Sequence, residues 1–445
     1  MHELTKLIKD DMKPALGVTE PGAIAFAVST ARSYLTGEVR KIGLKLNSGM
    51  YKNAYTCGIP GSSHVGNLYS AALGAVAGRP EKGLESLAEV TEADNKEAER
   101  MVEAGMVTAE MTEVTSRIFI QALVETESGT AVVTIRDSHT NIVEIRVKDE
   151  VVFAKEEKNG EENREEGERE EGEQAEGGKP DAAAGTEPQA LIHRYTLEQI
   201  YEYITTVDAE EIRFIMDAYR MNYALFEEGL NNPKTTYARY LLQKNGGEII
   251  SKDEQRTASL LCNAAIEARV IGLDKPAMSI TGSGAHGIIA TMPLYAAVKV
   301  NGLSEEKLLR ATALSYLICM YIKEYSGRLS AFCGCGIAAG SGMACGLVYL
   351  KGGSTEQMAM TLNNMASGLT GMICDGGNKG CTMKGIVAVD SAFQSVDFAM
   401  QGIFIDNVHG INGRTPEETM HNMGRIASPG MVGTEKTIVE IMESK

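Results

Sequence analysis

The sequence has no surplus of positive charge and no apolar leader. Its 445 residues carry 43 Lys and Arg against 60 Asp and Glu, a formal net charge of −17. That balance argues against general binding to nucleic acid or to an anionic membrane surface, and neither is expected as a partner. Much of the excess is local, because residues 156–176 hold eleven Glu and three basic residues. The amino-terminal run MHELTKLIKDDMK is charged from its third residue and lacks the apolar core of a secretory signal. A cytoplasmic chain is therefore expected. Eight cysteines in that setting point to reduced thiols, and so to metal binding or redox chemistry rather than a disulfide framework. Charge is also missing from residues 329–350, a run of 22 residues with the length of a membrane span. Five glycines and three cysteines punctuate it, directly after Glu324 and Arg328. The expectation is a buried helix with its entry turn inside the protein.

The length suggests two or three domains at roughly 100–200 residues each. Periodicity divides the chain into three regions. In the first, 1–154, a helical pattern over 4–35 is interrupted at 17–21. Residues 41–47 then alternate like a half-buried strand, and a glycine-punctuated segment leads into a small-residue helix near 68–76. An exposed helix is predicted over 91–104, followed by three strand-like runs near 117–125, 131–136 and 141–147, spaced as in an antiparallel meander. Residues 155–190 form an acidic, low-complexity linker or insertion with too little apolar content to bury. Residues 191–445 read as a bundle of eight or more helices. Capping-box signals recur there at Thr196 with Gln199, Ser354 with Gln357, and Thr415 with Glu418. The fold class expected is α+β, a mixed amino-terminal lobe packed on a larger helical lobe.

Four of the cysteines fall in two glycine-rich clusters, SGRLSAFCGCGIAAGSG (Cys333, Cys335) and GMICDGGNKGC (Cys374, Cys381). The spacing is neither the four-cysteine ferredoxin run nor a zinc ribbon. Thiolates are natural ligands of iron–sulfur clusters, and adjacent glycines let backbone amides approach the sulfides. Both clusters are placed at helix ends, where unpaired amides favour an anion. Small core residues of a glycine-rich bundle would look the same, which is how Cys262, Cys319 and Cys345 read.

The set YKN…GIPG, DSHTNIV, ITGSGAHGIIATMPL and the two cysteine motifs resembles the L-cysteine desulfidase family, within the wider group of oxygen-sensitive iron–sulfur L-serine dehydratases. The resemblance covers the chain except 155–189. It implies a 4Fe–4S cluster held by three cysteines with one open iron, assigned by motif to Cys333, Cys374 and Cys381, with Cys335 the alternate to Cys333. It implies a lyase whose open iron acts as a Lewis acid on the β leaving group while a base removes the Cα proton. The substrate it implies is a small L-amino acid: cysteine first, giving pyruvate, ammonia and sulfide, then serine or threonine. A cluster-bearing amino-acid sensor without catalysis is the competing class, and a homodimer is the family expectation.

Within that resemblance Asn53, Ser62, Ser63, His139, Thr140, Asn141, Ser283, His286 and Arg328 are the expected substrate-binding residues. Ser62 and Ser63 read equally as turn caps, and Arg328 and Lys384 read equally as cluster-neutralising cations or as salt bridges within the bundle. Lys52, predicted in a turn past a strand, and His64 are candidate bases. One departure bears on the base. Family members usually carry cysteine directly before Thr-Glu-Pro, where this chain has Val18. Cys57 is therefore a further candidate, as a thiol that has moved in sequence. Two other family positions are also changed, at Ala285 and at Gly377-Asn378-Lys379.

Overall fold

A computed structural model describes residues 1–155, 190–327 and 329–445. The acidic linker expected over 155–190 lies outside these residues except at its two ends, and so does Arg328. The architecture is α+β, with the sheet towards the amino terminus and helices dominating the carboxy-terminal part.

Eight strands are present among the described residues: β1 (Lys13–Leu16), β2 (Val39–Leu46), β3 (Val107–Met111), β4 (Phe119–Thr126), β5 (Gly129–Arg136), β6 (Ile142–Val147), β7 (Glu150–Ala154) and β8 (Pro276–Ser279). Six of them form one sheet in the order β3-β2-β4-β5-β6-β7, with only the β2–β3 pair parallel. The predicted meander is β4, β5 and β6. Burial along β4 alternates strictly, so Ile120, Ala122, Val124 and Thr126 face the core. Helices Thr19–Ser33 and Gly66–Val76 contribute Ile24, Val28, Ala72 and Leu73 to that same core. β3 and β7 escape prediction because both are five-residue edge strands: the alternation of β3 spans only three apolar residues, and β7 is exposed at every position.

Of the three capping boxes expected from sequence, Thr196 with Gln199 and Ser354 with Gln357 are complete and the third is half realised; Thr91 with Asp94 forms a further complete box. Thr415 accepts from the Glu418 amide, but the Glu418 carboxylate turns to the Arg414 amide at 2.7 Å. Lys52 and Asn53, expected in a turn past the strand, instead lie in a helix (Ser48–Ala54) whose Met50 and Ala54 are wholly buried. Tertiary burial overrides the weak propensity of its glycine and asparagine.

The helical lobe is built around Glu254–Val270 and Gly284–Asn301, each buried over almost its entire circumference. Residues 329–350 run as a buried loop, a π-helical turn Cys335–Ala339 and the helix Gly340–Leu350. Among the described residues no helix is long and apolar enough to cross a membrane. The lobes interlock through the chain ends. Leu4 and Ile8 of helix Glu3–Asp11 belong to the helical core, whereas Val439 of helix Thr434–Glu443 belongs to the mixed core. β1 and β8 pair antiparallel across the same seam, from Lys13 with Ser279 to Leu16 with Pro276.

Close packing at the seam requires glycine at 287, where a Cβ would fall into the Met278 carbonyl of β8. Gly287→Ala is expected to destabilise the protein by about 1–3 kcal/mol through overpacking, read as a lowered midpoint in urea denaturation.

Candidate active site

At the seam between the lobes lies a cavity of about 80 Å³. Its walls differ in chemistry.

One wall is sulfur. Cys335, Cys374 and Cys381 all line the cavity. The two cysteine motifs meet as a short antiparallel bridge, with the Cys333 amide donating to Met372 O at 3.0 Å and the Cys374 amide donating to Ala331 O at 2.6 Å. Cys335 opens the π-helical turn and Cys381 lies in the first turn of helix Gly380–Met400, while Cys374 sits in the loop that leads into that helix. Cys333 is buried and is not among the lining residues. The neighbouring Cys335 thiol lowers the Cys333 pKa, while Cys333 and burial raise that of Cys335. Burial raises Cys381 to about 11, against the pull of the Lys384 ammonium. Burial alone would lower Lys384, but Cys374 and Cys381, together with its ion pair to Asp375, raise it instead.

A second wall holds two cations, Arg269 and Lys323, with the imidazole of His286 beside them. Lys323 donates to Gly327 O at 2.7 Å. Burial, Lys323 and Arg269 push the His286 pKa well below the ordinary imidazole value, so the ring is neutral at pH 7. Its Nδ1 shares a 2.6 Å hydrogen bond with Thr281 Oγ1. Thr281 itself adopts φ of 52°, a left-handed conformation rare for a β-branched residue.

The third wall holds Glu20, Asn53 and His139. Asn53 Nδ2 donates to Glu20 Oε1 at 2.9 Å, and His139 Nε2 lies 3.9 Å from the same oxygen. Asn53 Oδ1 also faces the Cys374 thiol at 3.9 Å, so the acidic and sulfur walls touch through one side chain.

Of the residues expected from sequence, Cys335, Cys374, Cys381, Asn53, His139, Ser283 and His286 line this cavity. Lys52 does not; its ammonium is completely buried behind the sulfur wall. There it donates to Ser330 O at 3.1 Å, Cys374 O at 2.9 Å and Glu435 Oε1 at 3.0 Å. Cys57 lies one layer back, its thiol donating to Asn53 O at 2.6 Å. Burial first, then Glu20 and Cys381, push its pKa well above the usual thiol range, so the group stays protonated. His64 stacks on Tyr69 outside the cavity, with ring centroids 4.1 Å apart. Ser62 accepts from the His64 amide at 3.1 Å, a turn contact, and Ser63 is exposed. Thr140 is exposed, and Asn141 Nδ2 donates to Arg136 O at 2.9 Å. Sequence reasoning missed Glu20, Arg269, Thr281, Lys323 and Glu435. Glu20 lies in the Thr-Glu-Pro motif and Thr281 in the ITGSGAHG motif, so both were within reach; the other three carry no local signal.

A model of the serine dehydratase alpha chain matches residues 81–440. The chain belongs to the serine dehydratase alpha chain family. It is 38% identical over 442 residues to a UPF0597 protein of Clostridium botulinum strain Okra, covering 99% of this chain and 98% of that one. A UPF0597 protein of Caldanaerobacter subterraneus subsp. tengcongensis is 37% identical with the same coverage, and one from Clostridioides difficile strain 630 is 33% identical over 98% of both chains. Membership in this iron–sulfur family implies a lyase and a 4Fe–4S cluster, in agreement with the motif resemblance. The donor set suits such a group. Three soft sulfur donors from glycine-rich turns ring one cavity, and a lysine beside them offsets negative charge. Among the described residues no three His, Cys, Asp or Glu side chains converge on a point suited to a single metal ion.

The Lys52–Glu435 pair ties both cysteine loops to the carboxy-terminal helix. Lys52→Met should cost about 3–5 kcal/mol by stranding a buried carboxylate. The double variant Lys52→Met/Glu435→Met should be less destabilised than the sum of the single changes, measured as a double-mutant cycle in chemical denaturation.

Proposed function

We propose that this protein catalyses α,β-elimination of L-cysteine to pyruvate, ammonia and sulfide, with Cys335, Cys374 and Cys381 as the cluster ligands. The observation that carries the reading is that three cysteine thiols and the Glu20–Asn53–His139 group line one small cavity together. When bound, a 4Fe–4S cluster with an open iron supplies a Lewis acid that draws electrons towards the β leaving group. The chain's own residues supply the rest. Glu20 accepts the Cα proton, since its carboxylate faces the cavity and is oriented by Asn53. Cys57 holds its proton on Asn53 O and so braces that asparagine instead of acting as a base. Val18, at the position where family members usually have a thiol, adds an apolar surface that excludes water from the cavity. A cavity of about 80 Å³ favours a substrate with a short side chain. An oxygen-labile cluster suits a reducing cytoplasm.

The test is anaerobic turnover by protein whose iron content and brown colour establish cluster loading, with L-cysteine and L-serine run side by side. Equimolar sulfide and pyruvate from cysteine are expected. Pyruvate from serine alone would make the protein a dehydratase, and silence on both would favour an amino-acid sensor. Individual Cys335→Ser, Cys374→Ser and Cys381→Ser changes should each lower bound iron and visible absorbance. Cys333→Ser should leave both close to the unmodified level, and equal loss in that variant would move the ligand to Cys333.

A further inference from the structure

Seven acidic, basic or histidine side chains among the described residues are nearly fully buried: Glu20, Lys52, Glu267, Arg269, His286, Lys323 and Glu435. Six have polar partners. Asn53 donates to Glu20, Lys52 pairs with Glu435, His286 bonds Thr281 and Lys323 donates to Gly327 O. Glu267 is one turn from its own helix end and accepts from the amides of Thr236, Tyr237 and Ala238 at 2.7–3.2 Å. Arg269 is the exception. Its side chain is 4% exposed, lines the cavity, and makes no hydrogen bond or ion pair, with Nε wholly enclosed and unpartnered. Burying a guanidinium with its Nε–H unpaired is costly, so the fold holds a cation at the cavity ready for an anion that comes from outside.

A second feature points to the same spot. Helix Gly284–Asn301 begins at the cavity, with Ser283 as its N-cap residue and Ala285 and His286 in its first turn. Its first amides lack intrahelical acceptors and carry the positive end of an eighteen-residue helix dipole. Gly284 is the residue that lets the guanidinium approach this helix end, because a Cβ there would stand 2.6 Å from Arg269 Nε. His286 adds no competing charge, being neutral between the two cations.

We propose that Arg269 and the amino-terminal turn of helix Gly284–Asn301 form the subsite for the substrate's α-carboxylate. The identity of the ligand as an α-amino acid rests on the elimination reading above; the presence of a carboxylate site does not. Arg269 offers a planar fork that matches a carboxylate in two parallel hydrogen bonds. With the carboxylate there, the acidic wall is left for the Cα proton and the sulfur wall for the β substituent.

The experiment compares two thiols that differ at the proposed contact. 3-Mercaptopropionate keeps the carboxylate and lacks the amine; cysteamine keeps the amine and lacks the carboxylate. Each is titrated calorimetrically into anaerobic, cluster-loaded protein. In Arg269→Gln the dissociation constant for 3-mercaptopropionate should rise about 10- to 100-fold while that for cysteamine is unchanged, the loss of a charged hydrogen-bonded contact. Arg269→Lys should recover part of the affinity. An equal loss for both thiols would assign Arg269 to the charge of the sulfur wall, and no loss for either would remove it from binding; both results overturn the proposal. Should Arg269→Gln fail to fold, the unmodified protein still decides, because cysteamine binding as tightly as L-cysteine would also overturn it. Arg269-dependent binding of 3-mercaptopropionate by a protein that releases no sulfide from cysteine would keep the carboxylate subsite and discard the desulfidase reading.

Discussion

The buried ion pair between Lys52 and Glu435 is the contact on which the arrangement of the site depends. Lys52 comes from the short helix after β2, and Glu435 from the last helix of the chain. The remaining donors of the same ammonium reach the carbonyls of Ser330 and Cys374, one from each cysteine motif. Ser48 completes the carboxylate's shell on the other side. Four segments distant in sequence are thereby fixed to one nitrogen. A cluster ligand set assembled from separate loops needs such a fixed point, since small displacements of thiolate donors disturb coordination geometry.

Around that point the charges are sorted by wall. The sulfurs face Lys384, the imidazole of His286 is kept neutral by burial and by two neighbouring cations, and the carboxylate of Glu20 is oriented by an amide. Separation of this kind is what an elimination requires, because proton acceptor and electron sink must act on opposite sides of one carbon–carbon bond. Strain at Thr281, and glycine where backbones cross, place the groups; Gly376 is such a crossing, where a Cβ would stand 2.5 Å from Lys52 O.

Legibility from sequence followed how local each signal was. Cysteines flanked by glycine form a compositional anomaly that needs no tertiary knowledge, and three of the four lie on one cavity. Strand β4 was readable because one face is buried and the other is not, and β5 and β6 because their spacing continued the same meander. Lys52 stood out in its motif, but its role as a tether depends on a glutamate 383 residues away, which periodicity cannot reveal. Arg269 sits in an unremarkable helical run, and only the fold shows that its charge is buried and unpaired. The serines near His64 illustrate the converse: a Gly/Ser loop that resembles a carboxylate cradle is, in space, a surface turn.

The interlocked ends have a consequence for how the molecule comes apart. Two hydrophobic cores of this size would ordinarily be free to melt as separate units. Here the first helix is an integral part of the carboxy-terminal core and the last helix of the amino-terminal one, so neither core can be lost without removing a piece of the other. Unfolding is thereby coupled across the seam, and a chain still being synthesised cannot complete its sheet lobe until its final ten-residue helix has been made.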